Sequence, residues 1–187
     1  MSSLVQSLGR RRRALAAGGV AVLAAAGAVV ALATASAGAA VTHRAAAAVS
    51  NPSCATAQLA VKFVNKPNGA AGTIFYPIRF TNKGTHACTL RGYPGVSAVT
   101  SAGAQIGNPA GRSGNPVKTV TLAPKKSAST MVGFAHTANF PAAKCKPVTA
   151  RGLRVIPPNQ STSVTIKRKF SACSGTSVTY LTVLPVK

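Results

Sequence analysis

The sequence predicts an all-β protein whose folded part is one antiparallel β-sandwich. Beyond residue 50, short runs of alternating apolar and polar residues are separated by clusters of Gly, Pro, Asn and Ser. Such runs are typical of half-buried strands, and no stretch shows the sustained 3.6-residue periodicity of an amphipathic helix. About eight or nine strands in roughly 135 residues is the pattern of a single immunoglobulin-like sandwich with one core. An apolar N-terminal segment, expected to be helical, precedes this domain.

Residues 1–37 have the layout of a secretory signal peptide. Four arginines, Arg10 to Arg13, precede an uncharged run rich in Ala, Gly and Val at 14–41, and small residues allow cleavage after Ala37 or Ala39. The run is long enough to cross a bilayer, so an uncleaved membrane anchor is the alternative. Its few leucines make it weakly hydrophobic for a permanent span, which favours cleavage and export.

An Ala-rich linker at residues 38–53 leads into the sandwich domain at 54–187. The inward-facing side chains of its predicted strands recur at every second position: Leu59, Val61 and Phe63; Ile74, Tyr76, Ile78 and Phe80; Val120 and Leu122; Ala128, Thr130, Val132 and Phe134; Leu153 and Val155; and Val164, Ile166 and Phe170. Pro77 has no amide hydrogen, so its strand is expected to lie at an edge or to carry a bulge. Arg168 falls on the apolar parity of its run, so that strand is expected to end or bulge there.

Turn and loop residues separate these strands. Tyr93-Pro94-Gly95-Val96 predicts a type II turn, because Pro presets φ at about −65° and Gly accepts a positive φ. A second turn is predicted at Ala123-Pro124-Lys125-Lys126. Residues 178–184 are apolar on both parities, as in a central strand, whereas residues 107–116 are rich in Gly and Pro and are expected to form a surface loop.

The charge composition excludes several kinds of chemistry. The chain has 22 Lys and Arg residues and no Asp or Glu. Paired-carboxylate glycosidases, Ser-His-Asp triads, and calcium or magnesium sites all need side-chain carboxylates. The three histidines, His43, His86 and His136, lie in separate segments with no adjacent metal ligands. We therefore expect no catalytic, cofactor or metal site; a hydrolase-like enzyme that uses a Ser/His pocket is the alternative.

The excess of basic residues predicts a polycationic surface. Removing the four arginines of the leader from the 22 basic side chains leaves 18. The candidate polyanion-binding residues fall in three clusters: Lys125 and Lys126; Lys144 and Lys146; and Lys167, Arg168 and Lys169. For an exported protein the available partners are anionic envelope polymers or lipids. The plainer interpretation is that these residues are scattered over a solvent-exposed surface and bind no specific ligand.

Specific nucleic-acid binding is not expected. Aromatic residues make up only 5% of the chain, there is no Trp, and no aromatic residue interleaves with the basic clusters as stacking platforms would. Non-specific, salt-sensitive adhesion to nucleic acid is expected of any such polycation.

The four cysteines, Cys54, Cys88, Cys145 and Cys173, predict disulfides if the protein is exported. The sequence contains no C-x-x-C spacing, which is the spacing that would suggest a zinc site. Four cysteines allow three connectivities, and the spacing alone does not choose among them; one of the alternatives places a cross-sheet bridge between Cys88 and Cys145.

One stretch is similar to a known family. The residues from Cys88 to Val99, Cys-Thr-Leu-Arg-Gly-Tyr-Pro-Gly-Val-Ser-Ala-Val, resemble a family of secreted actinobacterial β-sandwich domains of unknown function. The resemblance covers nearly all of 51–187 and implies export and the pairing of Cys54 with Cys88 and of Cys145 with Cys173. Each such bridge would also staple a local unit. This chain departs from the family pattern in having no acidic residue. Together, these features predict a non-catalytic extracellular or cell-envelope module.

Overall fold

The computed structural model describes residues 50–114 and 116–187. The predicted signal peptide or anchor, and nearly all of the predicted linker, lie outside the described residues. The described part contains twelve strands: β1 (Leu59–Phe63), β2 (Asn68–Ala70), β3 (Thr73–Asn82), β4 (Cys88–Arg91), β5 (Gly95–Val99), β6 (Gln105–Ile106), β7 (Gly111–Arg112), β8 (Thr119–Leu122), β9 (Ser127–Ala135), β10 (Pro147–Ile156), β11 (Val164–Cys173) and β12 (Leu181–Val183).

Helical structure is short in the same residues. One α-helix, α1 (Ala142–Cys145), and two 3₁₀ turns, Thr56–Gln58 and Thr137–Asn139, connect the strands. Among the residues that the structure describes, no helix has the length and apolar character needed to cross a membrane.

The strands form an all-β sandwich, as predicted. One sheet has the order β1-β3-β9-β12-β7, with β2 also paired to β3. The second has the order β11-β10-β5-β6, and β4 pairs with β8. Side chains from these sheets bury one another in one core, whose largest fully buried members include Tyr180, Phe80, Ile78, Leu90, Leu122, Leu153 and Leu181. In the described part of the chain the pairing is antiparallel, with two exceptions: β12 runs parallel to β7, and Ser53 forms a parallel bridge with Thr89.

Pro77 shows why one expectation was wrong. Its strand, β3, lies inside the sheet, between β9 on one side and β1 and β2 on the other, and Pro77 pairs with Met131 without a register shift. The Pro77 carbonyl accepts a hydrogen bond from the amide of Val64, just beyond the end of β1. The prolyl nitrogen therefore faces the gap between β1 and β2, where the carbonyl of Val64 accepts a hydrogen bond from the amide of Lys66 instead.

The turn predicted at Pro94 and Gly95 was also wrong. Gly92, with φ of 105°, adopts the positive φ, whereas Gly95 begins β5 and pairs with Ile156. The segment carries the chain from β4 to β5, which belong to different sheets. The turn at Ala123-Pro124-Lys125-Lys126 is confirmed: the Lys126 amide donates to the Ala123 carbonyl, and Lys125 has the positive φ, 65°, that a type II turn requires at its third position.

The remaining strand predictions are mostly confirmed. β11 carries a bulge at the predicted place, because Ala150 pairs with Phe170 and Gly152 pairs with Lys167. Two residues of β11, Arg168 and Lys169, therefore face one residue of β10. β12 lies inside its sheet, although it has only three residues. The segment 107–116 is not wholly a loop, since it contains β7, which pairs with β12.

All four cysteines form disulfides, Cys54–Cys88 and Cys145–Cys173. This is the pairing that the family resemblance implies, and a Cys88–Cys145 bridge is wrong. All four are buried. The two bonds are in different parts of the fold: one ties the segment before β1 to β4, and the other ties α1 to the end of β11.

Candidate functional site

Four aromatic rings meet on one side of the sandwich, where strand β1 of one sheet faces strand β11 of the other. Phe63, Tyr76, Phe134 and Phe170 come from β1, β3, β9 and β11. Successive ring centroids are 4.9 Å apart for Phe63 and Tyr76, 5.7 Å for Tyr76 and Phe134, and 5.1 Å for Phe134 and Phe170. All four side chains are half-buried. The core therefore ends on this side in an aromatic surface that remains partly accessible.

Arg168 covers part of this aromatic surface. Its guanidinium carbon lies 4.0 Å from the centroid of the Phe63 ring and 4.7 Å from that of Tyr76, which are cation–π distances. The side chain reaches the rings because Arg168 lies on the inward-facing parity of β11, at the bulge. The position that looked anomalous in the sequence is therefore the one that brings a cation onto the rings.

Arg168 is unusual among the basic residues. Every described Lys and Arg is exposed except Arg154 and Arg168, which are half-buried. Arg154 donates a hydrogen bond to Oε1 of Gln105 at 2.6 Å. Within residues 50–114 and 116–187, the guanidinium of Arg168 has no hydrogen-bond partner, and its contacts with the rings satisfy no N–H donor.

Arg168 also lines a cavity of about 180 Å³. Its lining combines aromatic rings with polar groups: Tyr76, Phe134, Phe170, Arg168, His136, Thr137 and Ser171 are among the residues around it. The hydroxyl oxygens of Thr137 and Ser171 lie 3.0 Å apart and share a hydrogen bond. Neither hydroxyl bonds to the imidazole of His136 in the described residues, so the cavity holds a serine and a histidine without a Ser–His pair.

The run Lys167-Arg168-Lys169 does not form one cluster. Lys167 and Lys169 are exposed, whereas Arg168 packs inward on the rings. Strand β11 is also the edge of its sheet. Lysines and a bulge on an edge strand hinder its pairing with a second chain, so these two lysines have a structural reason to be where they are.

Lys125 and Lys126, here called the turn pair, occupy the third and fourth positions of the turn before β9 and are exposed. The turn is held by Asn82 at the end of β3: the Asn82 amide donates to the Lys126 carbonyl, and the Lys125 amide donates to the Asn82 carbonyl. Lys83 follows directly, and its amide donates to the carbonyl of Gln58. The structure thus adds a third exposed lysine to this end of the sandwich.

Lys144 and Lys146, here called the helix pair, flank Cys145 at the end of α1 and are also exposed. Lys146 caps the helix in the left-handed conformation, with φ of 49°. Its carbonyl accepts hydrogen bonds from the amide and the hydroxyl of Ser174. The disulfide and these bonds fix the backbone from which both side chains extend.

The turn pair and the helix pair lie at opposite ends of the sandwich. The turn pair directly precedes β9, which has nine residues and therefore spans roughly 30 Å at about 3.3 Å per residue. Just beyond the far end of β9, Thr137 contacts Ser171. Ser171 lies two residues before Cys173, which is bonded to Cys145 between the two lysines of the helix pair. The turn pair and the helix pair therefore do not form one basic patch.

The histidines do not form a metal site in the described residues. His86 lies near the turn pair, where its carbonyl accepts from the Asn82 side chain, and His136 lines the cavity beyond β9. No group of three His, Cys, Asp or Glu residues that could hold a metal occurs in the part of the chain that the structure describes. His43 lies outside that part.

The aromatic surface under Arg168 escaped the sequence analysis. The four rings come from four different strands, so no local run of aromatic and basic residues predicts that they meet. The one sequence signal was the position of Arg168 on an apolar parity. In space, aromatic rings and a basic residue do meet, contrary to the expectation drawn from their separation in the sequence.

The fold and its two disulfides define a class of protein: a disulfide-linked all-β sandwich domain, whose bonds indicate an oxidising, extracytoplasmic environment. A family model described as a domain of unknown function, DUF4232, matches residues 54–187. The chain belongs to this family. No curated protein matches the chain.

Proposed function

We propose that this protein is a non-catalytic module of the cell envelope or extracellular space that binds anionic envelope polymers through its cationic surface. One observation supports this above all. All described basic side chains except two are exposed, and the chain has no side-chain carboxylate to neutralise them. Such a surface has a positive potential that attracts polyanions.

The distribution of the lysines favours a long ligand over a small one. The turn pair and the helix pair are each a weak site, because each exposed ion pair between a lysine and an anionic group of the ligand contributes about 0.2–1 kcal/mol. A polymer that spans the roughly 30 Å between them engages both. The second contact then forms at high effective concentration, which raises the overall affinity without any further contact.

The same geometry supports a binding role over a catalytic one. The described Ser171 and His136 share a cavity without forming a nucleophile–base pair, and the chain has no side-chain carboxylate to orient the imidazole. A Ser/His hydrolase remains the alternative of a different class. Turnover of an activated ester that is lost on substitution Ser171→Ala would favour it.

The proposed function is tested with the protein purified as its host exports it. Binding to two immobilised polymers, polygalacturonate and poly(glycerol phosphate), is measured at about 150 mM salt, where surface charges are screened beyond about 8 Å. Excess duplex DNA is present as a competitor. A polymer that is recognised remains bound, whereas loose ionic adhesion is displaced by the DNA.

Charge-matched variants identify the residues responsible. Lys125→Gln with Lys126→Gln, and Lys144→Gln with Lys146→Gln, each remove two charges from a pair; Lys66→Gln with Lys118→Gln removes two exposed charges elsewhere. We expect each pair variant to lose on the order of tenfold in affinity, and the control to lose much less. Displacement of both polymers by DNA, or equal losses in all three variants, would refute the proposal.

A further inference from the structure

The guanidinium of Arg168 is prepared to receive an anion. It lies on the rings of Phe63 and Tyr76, half-buried, and has no hydrogen-bond partner in the described residues. A guanidinium presents a planar fork of N–H donors that matches the oxygens of a carboxylate or a phosphate. Because part of the surrounding water is excluded, an ion pair here is stronger than one at an exposed lysine. No side-chain carboxylate of the chain can occupy this position, since Asp and Glu are absent.

The cavity beside Arg168 has the size and lining for one sugar unit. Its volume of about 180 Å³ is below the range of about 300–1,000 Å³ that is usual for larger ligands. A pyranose ring has apolar C–H faces and hydroxyl groups around its edge. The rings of Tyr76, Phe134 and Phe170 can pack against such a face, while Thr137 and Ser171 can bond to the hydroxyls.

A second groove adjoins the same arginine on its other side. Lys62, Asn65, Thr165 and Lys167 are among the residues around it, together with Arg168. Two of these side chains are exposed cations. A chain of acidic units whose first sugar occupies the cavity therefore has a basic path along which its next units can lie.

We propose that the cavity beside Arg168 binds one acidic sugar unit, a monosaccharide that carries a carboxylate or a phosphate, and that Arg168 forms a two-pronged ion pair with its anionic group. The inference rests on the proposed function, because it assigns selectivity for an anionic glycan to this cavity and leaves the exposed lysines to supply general attraction. Arg168 is then the residue that distinguishes an acidic sugar from a neutral one.

The test is a titration of the ¹⁵N-labelled exported protein, followed by amide chemical shifts. The ligands are glucuronate, glucose 6-phosphate and neutral glucose, which separate the carboxylate and phosphate forms of the anionic group from the sugar alone. We expect saturable shifts at residues 134–137 and 168–171 with at least one acidic sugar, and glucose to bind at least tenfold more weakly. No saturable shift at these residues with either acidic sugar, or equal binding of glucose, overturns the inference.

Two arginine substitutions separate the effect of the paired guanidinium donors from the effect of the positive charge. Arg168→Lys keeps the positive charge but loses the paired donors. Arg79→Lys makes the same change at an exposed position on β3. We expect Arg168→Lys to weaken binding of the acidic sugar about tenfold and Arg79→Lys to change it less than twofold. Similar affinities for both variants overturn the inference.

A further variant keeps the test decisive if Arg168→Lys disturbs the fold. Thr137→Val removes a hydroxyl from the cavity without touching the guanidinium, and we expect it to weaken sugar binding at least threefold with an unchanged melting temperature. Unchanged sugar binding in this variant counts against the inference.

The polymer assay distinguishes the two proposals. If Arg168→Lys retains DNA-resistant polymer binding and the acidic sugars do not bind the wild-type cavity, the inference fails and the proposed function stands. If the acidic sugars saturate the cavity while DNA displaces both polymers, the inference about the cavity stands and the proposed polymer-binding function fails.

Discussion

Asn82 provides a sensitive test of how the fold is held together next to the turn pair. Its side chain is fully buried and makes three hydrogen bonds. Nδ2 donates to the carbonyls of His86 at 2.8 Å and Leu122 at 2.9 Å, and Oδ1 accepts from the amide of Gly84 at 2.8 Å. The substitution Asn82→Ala removes all three bonds and leaves the backbone in place.

The expected loss of stability follows from those contacts. Each hydrogen bond contributes about 1 kcal/mol net, which gives about 3 kcal/mol for three. The bond to the Leu122 carbonyl is buried, so that oxygen loses a partner that water does not readily replace, and the total rises to about 4 kcal/mol. A domain of this size has a free energy of unfolding of about 5–15 kcal/mol. The melting temperature should then fall by roughly 15 °C.

The measurement is urea unfolding followed by far-UV circular dichroism, with a thermal scan of the same proteins. Asn139→Ala is the matched control, because Asn139 is exposed and its side chain donates one hydrogen bond, from Nδ2 to the Gly72 carbonyl at 2.9 Å. We expect the control to lose less than about 1 kcal/mol. If Asn82→Ala loses no more than the control, the buried bonds do not stabilise this end of the sandwich and the reasoning is wrong.

Three further predictions concern charge and titration. Since the cations have no side-chain carboxylates to pair with, we expect the melting temperature to rise between low and moderate salt; a flat response in calorimetry would show that the charges are too dispersed to repel one another. Acid unfolding usually follows the protonation of paired carboxylates, so we expect the circular dichroism to stay unchanged from pH 7 down to about 3. A transition above about pH 4 would contradict this expectation. Burial raises the pKa of the Tyr180 phenol, so the unfolded chain loses that proton first and stability falls as the pH rises above about 10. The Tyr180 hydroxyl has no partner among the described residues, so Tyr180→Phe should leave stability at neutral pH equal or higher and flatten the alkaline decline in the urea midpoint; an equal decline in both proteins would count against this.

Much of the fold could be predicted from local patterns. β1, β3, β9 and β11 follow the alternation of inward and outward residues, because side chains of a strand point to opposite faces in turn. The bulge at Arg168 was predictable for the same reason: a cation on the apolar parity needs an interruption of the strand or a special partner. The structure supplies both, the bulge in the ladder and the rings of Phe63 and Tyr76.

The failures share a physical cause. Pro77 looked like an edge residue because its missing donor was visible in the sequence, whereas the gap between β1 and β2 that tolerates it depends on how three strands pair. The turn at Pro94 and Gly95 was misplaced because the chain crosses between sheets there, and the positive φ falls on Gly92. Strand β7 has only two residues, too few for any pattern, and exists because β12 lies beside it.

The amino-acid sequence by itself determined which groups the protein can use. A chain without Asp or Glu has no side-chain carboxylate to offer in any fold, so its cations form no ion pair with another side chain whatever their positions. Only the tertiary structure decided which of those cations differs from the rest. Arg168 shares its parity with the apolar residues of β11, but the rings beneath it come from three other parts of the chain, and their convergence depends on the packing of the two sheets. The composition can be read from the residues one by one, whereas a cavity with a half-buried cation in its lining depends on how they are arranged.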